Sequence, residues 1–177
     1  MVILTGCSND AKAPATTPTP PAATSGSSSS PTPSPSIEPQ AAAKAAVLDA
    51  YDRFWDEQVK AYAKGDTKGT DFSRYAAATA LVSTETDLND LRSKGIVTTG
   101  APTHDARVDK IDSARKVPNA QLTDCLDSTD WKFVYRKSGK PVAMPENRLI
   151  RYETKVNAEK WGKQWRIVEV TPRQDTC

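Results

Sequence analysis

The side chains able to do chemistry are few in this chain of 177 residues, and they stand far apart. There is one histidine, His104, and there are three cysteines, Cys7, Cys125 and Cys177. With no Cys-x-x-Cys and a single imidazole, the ligand spacing of a zinc site is missing, and no metal or other cofactor is expected. His104 stands in the turn-like stretch Gly100-Ala101-Pro102-Thr103-His104-Asp105 and reads as a solvated loop residue. Asp124, beside Cys125, reads as an exposed strand residue or a turn anchor. No nucleophile–base pair and no glycine-rich phosphate cradle is present. The residues best suited to meet a ligand are Tyr51, Trp55, Arg148 and Tyr152. Three aromatic rings and one fixed cation suit an anionic or amphipathic ligand, with Arg148 on its charged end and the rings over its apolar part. The bland alternative is that the rings pack on one another while Arg148 reaches water.

Two elements must position those four. From Ala41 to Lys64, the residues Val47, Ala50, Tyr51, Phe54, Val59 and Tyr62 recur at spacings of three and four, with charged residues between them. That pattern predicts an amphipathic helix ended by Gly65-Asp66, with Trp55 widening its apolar stripe. At the other end, Arg148 to Ala158 alternates with a period of two, Ile150, Tyr152, Thr154, Val156 and Ala158 sharing one face. Glu159 to Lys163 then contains Gly162, and Gln164 to Val170 carries apolar residues on both faces, as a strand buried between neighbours would. Together they predict an antiparallel hairpin.

Between these elements, Asp71 to Tyr75 starts a short helix, and Ala76 to Lys94 predicts a longer one ending at Gly95, with Ser83 or Thr84 as a point of interruption. Ala106 to Ile111 is a weakly patterned strand, Ala120 to Asp127 another, and Trp131 to Arg136 a cleaner one closed by Ser138-Gly139-Lys140-Pro141. Helices first and strands afterwards imply an α+β domain with the helices on one face of an antiparallel sheet of four to five strands.

The composition bounds the rest. Ser8 to Pro39 is almost wholly Ala, Pro, Thr, Ser and Gly, too poor in apolar surface to offset about 1–2 kcal/mol of backbone entropy per residue. The chain therefore divides into residues 1–6, a tether over 7–39 and one domain over 40–177. Gln40 to Asp112 holds 10 basic and 12 acidic residues, and Ser113 to Cys177 holds 13 and 8. A basic sheet half of this size reads as a solvated surface with weak attraction to anionic polymers or lipid headgroups, and no nucleic-acid partner is expected. No apolar run reaches the length of about 18 residues needed to cross a bilayer.

The stretch Leu4-Thr5-Gly6-Cys7 resembles the lipobox of a bacterial lipoprotein, followed directly by a spacer such proteins need. The resemblance implies that residues 1–6 are the remnant of a signal peptide and that Cys7 carries lipid anchoring the chain outside the cytoplasm. Cys125 and Cys177 then remain as an even pair in an oxidising compartment, where pairing is the default. A bridge between them would close a loop of about fifty residues and tie down the C-terminus.

The opening helix with Tyr51, Phe54 and Trp55, together with the ending Trp161-Gly162-Lys163-Gln164-Trp165-Arg166-Ile167-Val168, resembles the nuclear transport factor 2-like superfamily. That superfamily has a cone-shaped fold and includes ketosteroid isomerases and polyketide cyclases. The whole arrangement is similar to exported actinobacterial lipoproteins built as lipobox, tether and this fold. The resemblance implies three alternatives. An enzyme would use Asp124 as base, with Tyr51, Tyr152 and His104 as partners. A binding module would hold a small apolar or amphipathic ligand in the cone. An accessory of an envelope secretion or conjugation assembly would dock a protein partner. The expected function is a non-catalytic binding or scaffolding module anchored on the outer face of the membrane.

Overall fold

A computed structural model describes residues 39–177. The anticipated lipid site at Cys7, the signal-peptide remnant and the tether up to residue 38 fall outside the described residues, while Pro39, expected as the tether's last residue, belongs to the first helix. Helix α1 spans Pro39–Lys64, opening on a proline whose missing amide proton costs nothing in a first turn. Its buried stripe runs through Val47, Ala50, Tyr51, Phe54, Trp55, Gln58, Ala61 and Tyr62, the three-and-four spacing that packs one face of a helix. Two further helices follow, α2 (Phe72–Tyr75) and α3 (Ala78–Ser93). Helix α3 runs unbroken through Ser83 and Thr84.

Among the described residues six strands follow: β1 (Ile96–Thr99), β2 (Thr103–Asp112), β3 (Asn119–Asp127), β4 (Lys132–Tyr135), β5 (Arg151–Trp161) and β6 (Gln164–Pro172). Four of them form an antiparallel sheet in the order β2-β3-β5-β6, and β1 pairs with β4 as a separate ribbon. The protein is therefore α+β, with helices packed against antiparallel sheets. Strand β1 is not among the strands expected above, although Ile96-Val97-Thr98-Thr99 is a β-branched run bounded by Gly95 and Gly100, and Trp131 precedes β4 instead of belonging to it. Gly100, at φ 71, links β1 to β2 where a Cβ would run into the carbonyl oxygen of Asp130, beside Trp131.

The closing hairpin forms with shifted limits. Its first strand begins at Arg151, so Arg148 stands outside it, and the turn is the two residues Gly162 and Lys163 between the paired Trp161 and Gln164. Gly162 has φ 64, the left-handed conformation that a two-residue hairpin loop needs at its first position. Strand β6 is not buried between neighbours, as its two-faced apolar pattern predicts, but lies at the sheet edge. A bulge explains the pattern. Asn157 pairs with Glu169 and Ala158 with Ile167, so Val168 is an extra residue that changes the parity of the strand. Trp165 and Ile167 before the bulge and Val170 after it can then all serve the core. The other edge strand, β2, has its own irregularity at Asp109, between the pairs Val108–Leu122 and Lys110–Gln121. Bulges bend and twist the strands that carry them, and here both outer strands carry one.

Part of the β6 edge is covered by the link between α2 and α3. Ala76 bridges Ile167, and the Ala77 amide donates to the Ile167 carbonyl at 2.9 Å. On the far face of the sheet, Cys125 and Cys177 are joined in a disulfide with their Cα atoms 5.8 Å apart, as anticipated. The C-terminal tail reaches it by crossing β5, where the Arg173 amide donates to the Glu153 carbonyl and the Glu153 amide to that of Asp175, both at 2.8 Å.

Candidate functional site

Pairing across the sheet aligns its inward side chains in rows. His104 lies opposite Leu126, and Leu126 opposite Tyr152. Ala106, Asp124, Thr154 and Pro172 form the next row, and Val108, Leu122, Val156 and Val170 the third. Helix α1 lies over these rows and contributes Tyr51, Phe54 and Trp55. Asp124 is therefore neither exposed nor in a turn: it sits in the middle row at 0% exposure. The correction has a simple cause, since the parity that turns Leu122 and Leu126 inward must turn Asp124 inward with them.

The Tyr51 hydroxyl donates to Asp124 Oδ2 at 2.8 Å. Asp124 Oδ1 has no hydrogen-bond partner among the described residues, although the Asp105 amide lies close enough to favour the anion. Burial pushes the Asp124 carboxyl above the ordinary carboxylate range, against the opposing pull of the Tyr51 hydrogen bond and of His104. Burial, reinforced by the Asp124 charge, raises the phenols of Tyr51 and Tyr152. His104 is not a solvated loop residue. It belongs to β2, its ring stacks on Trp55 at 6.2 Å between centroids, and it meets Tyr51 edge-on at 5.5 Å. Its Nε2 lies 3.9 Å from Asp52 Oδ1.

A buried carboxylate with one oxygen unpartnered weakens the fold at neutral pH. The folded protein holds the Asp124 proton more tightly than the unfolded chain does. Its contribution to stability is thus fully present below the ordinary carboxylate range and is lost as pH rises through its elevated folded value. Asp124→Asn retains an acceptor for Tyr51 and removes the charge. It is expected to raise stability at pH 7 by about 1–3 kcal/mol and to flatten this part of the pH profile. Denaturant unfolding across pH 4–8 checks it, and a variant less stable than the parent at pH 7 refutes it.

Beside this cluster a cavity of about 450 Å³ opens between α1, α3, the sheet and the segment carrying Trp131 and Phe133. Trp55 and Tyr152, two of the four residues singled out in the sequence, line it. The other two do not. Tyr51 is 0% exposed and directed to Asp124, and Arg148 lies before β5, where its charge is felt by Tyr152 without its side chain forming wall. The sequence reading missed Tyr62, Gln58, Trp131, Phe133 and the α3 residues Thr79, Ser83, Thr84, Asp87 and Asp90 as wall. For Tyr62 and Gln58 a signal existed, because both fall on the α1 stripe with Trp55. For α3 the signal was partial: Thr84 and Asp87 stand at helical spacing between the apolar Ala80 and Leu91, while Thr79, Ser83 and Asp90 read by type as its solvent face.

Six aromatic residues stand in the wall, Phe54, Trp55, Tyr62, Trp131, Phe133 and Tyr152. Trp131 meets Trp55 at 5.9 Å and Tyr62 at 5.1 Å, both edge-on, and tilts against Phe133 at 6.2 Å. The Nε1 atoms of Trp55 and Trp131 are themselves covered, so these residues offer ring carbon to the cavity. The Tyr62 hydroxyl donates to Asp87 Oδ2 at 3.1 Å, and burial, reinforced by the Asp87 charge and this bond, pushes the Tyr62 phenol far above its ordinary value. Among the described residues no group of three or more His, Cys, Asp and Glu side chains is arranged to hold a metal ion. No helix of the described residues is long and apolar enough to cross a membrane.

No protein-family model and no curated protein matches this sequence. Among solved structures, the chain is similar to the intermembrane space region of the chloroplast protein ARC6, at a TM-score of 0.42 and 12% sequence identity over 70% of this chain and 91% of that one.

Proposed function

We propose that this protein is a non-catalytic binding module, tethered by lipid on Cys7 outside the cytoplasm, that holds a small ligand in a cone of the nuclear transport factor 2-like type. The observation that carries this reading is the cavity. Its volume of about 450 Å³ falls within the usual range for small-molecule sites, and its wall is mostly apolar, with most of its polar side chains on α3 and the others, Gln58 and Thr154, on α1 and β5. The two bulged edge strands support the conical reading, because such bulges curve a sheet around what packs on it. The Cys125–Cys177 disulfide supports an oxidising address. The alternative of an isomerase-type enzyme fits less well, because Asp124 and Tyr51, its base and donor, are not among the wall residues.

The test uses the uncharged dye 1-N-phenylnaphthylamine. One dye per chain is expected to bind with a blue shift, and Ser83→Trp, which plugs the mouth from an exposed position on α3, is expected to abolish it. Absence of saturable uptake, or uptake unaffected by Ser83→Trp, overturns the binding reading. Expressed behind a complete lipoprotein signal peptide, the same protein should enter the detergent phase and Cys7→Ala the aqueous phase; an unlipidated, aqueous parent overturns the address.

A further inference from the structure

We infer that the ligand of this cavity is an organic cation with an apolar body, an alkyl- or arylammonium ion, held by aromatic rings and by the Asp87 carboxylate. The inference rests on the binding reading above and names the chemical class it would take. Its first support is the concentration of rings. Phe54, Trp55, Tyr62, Trp131, Phe133 and Tyr152 all line the cavity, half of the chain's four Trp, five Tyr and three Phe. Ring faces carry the negative end of the aromatic quadrupole, and a cation that sheds water between several of them is attracted where a neutral group of the same shape is only packed.

The second support is the sign of the charge. Among the described residues the wall contains Asp87 and Asp90 and no Lys, Arg or His. This runs against the composition around it, since Ser113 to Cys177 is basic by 13 residues to 8. The two carboxylates are not equivalent. Asp90 Oδ2 is engaged by Lys94 Nζ at 2.7 Å. Asp87 makes no ion pair among the described residues, and its one side-chain partner is the neutral Tyr62 hydroxyl on Oδ2. That hydroxyl ties the carboxylate to the aromatic wall and leaves Oδ1 for a ligand. Arg148, the one cation felt by Tyr152, stands off the wall, so an anionic ligand would meet Asp87 without a compensating cation.

Benzyltrimethylammonium and its carbon isostere 2,2-dimethylpropylbenzene differ only in the charged atom, and 3-phenylpropanoate supplies the opposite charge. Binding of each is followed by NMR at the indole N–H signals of Trp55 and Trp131. The ammonium ion is expected to bind at least tenfold tighter than the isostere, and the carboxylate weakest. Asp87→Asn keeps an acceptor for Tyr62 and is expected to lower ammonium affinity about three- to tenfold while leaving the isostere unchanged. Equal or tighter binding of the isostere or the carboxylate overturns the inference, as does an Asp87→Asn variant with undiminished preference for the cation. If 1-N-phenylnaphthylamine still binds in either case, the binding reading stands without it. If neither the dye nor any probe binds, both fall.

Discussion

Truncation of Trp55 to alanine is expected to cost about 3–5 kcal/mol of stability and to remove ligand uptake as well. The ring is only 5% exposed and meets four others, Tyr51 at 6.3 Å, Phe54 at 5.8 Å, Trp131 at 5.9 Å and His104 at 6.2 Å between centroids. It joins the Asp124–Tyr51–His104 cluster on one side to the cavity wall on the other. Alanine would therefore leave a void continuous with a cavity that already exists, and the neighbours could close over it only in part. The measurement is urea unfolding of parent and variant at pH 7, with dye titration of the folded fraction. A loss below about 1 kcal/mol, within the range of surface changes, would show that the ring is not part of the core. Retention of dye binding by a folded variant would show that it is not part of the wall. Trp55→Phe, which keeps a ring, separates these two roles if the alanine variant is too unstable to handle.

Removing the disulfide is the second large effect. Cys125 and Cys177 are separated by 52 residues, and opening a loop of that size is expected to cost about 4 kcal/mol through the greater freedom of the unfolded chain. Reduction, or Cys125→Ser with Cys177→Ser, should lower the unfolding midpoint accordingly. It should also release the tail that crosses β5, so that the Glu153 amide, bonded to the Asp175 carbonyl, exchanges with solvent faster than the amides of β3. The cavity lies on the other face of the sheet, so dye affinity measured on the folded protein should not change. A stability difference under about 1 kcal/mol would mean that the tail is held by its backbone bonds and not by the bridge.

Local order along the chain was legible in the sequence because it follows from short-range periodicity. The spacing of Val47, Ala50, Tyr51, Phe54 and Tyr62 specifies a helix with a buried stripe wherever the helix is placed. The alternation from Tyr152 to Ala158 specifies a strand with one buried face, and Gly162 specifies where it turns. The pairing of Cys125 with Cys177 was legible from counting cysteines, on the expectation that Cys7 carries lipid and leaves an even pair.

Three things were decided only in the tertiary structure. The pairing of β1 with β4 joins residues 33 to 39 positions apart, and nothing within a four-residue strand announces its partner. The place of β6 at the edge was hidden by its bulge, since one inserted residue gives an edge strand the two-faced apolar pattern of a central one. The site itself was divided in the same way. Trp55 and Tyr152 were recognisable as rings on inward faces, yet whether an inward face meets another side chain or an open cavity depends on the element opposite. That element is α3, whose Ser83, Asp87 and Asp90 have the composition of a solvent-facing surface until the fold sets them against Tyr62 and Phe133. Asp124 and His104 were misplaced for a related reason. A charged or titratable side chain is assigned to solvent by its type, but strand register, which is fixed by the apolar residues on either side of it, carries it into the core and leaves Tyr51 to meet it there.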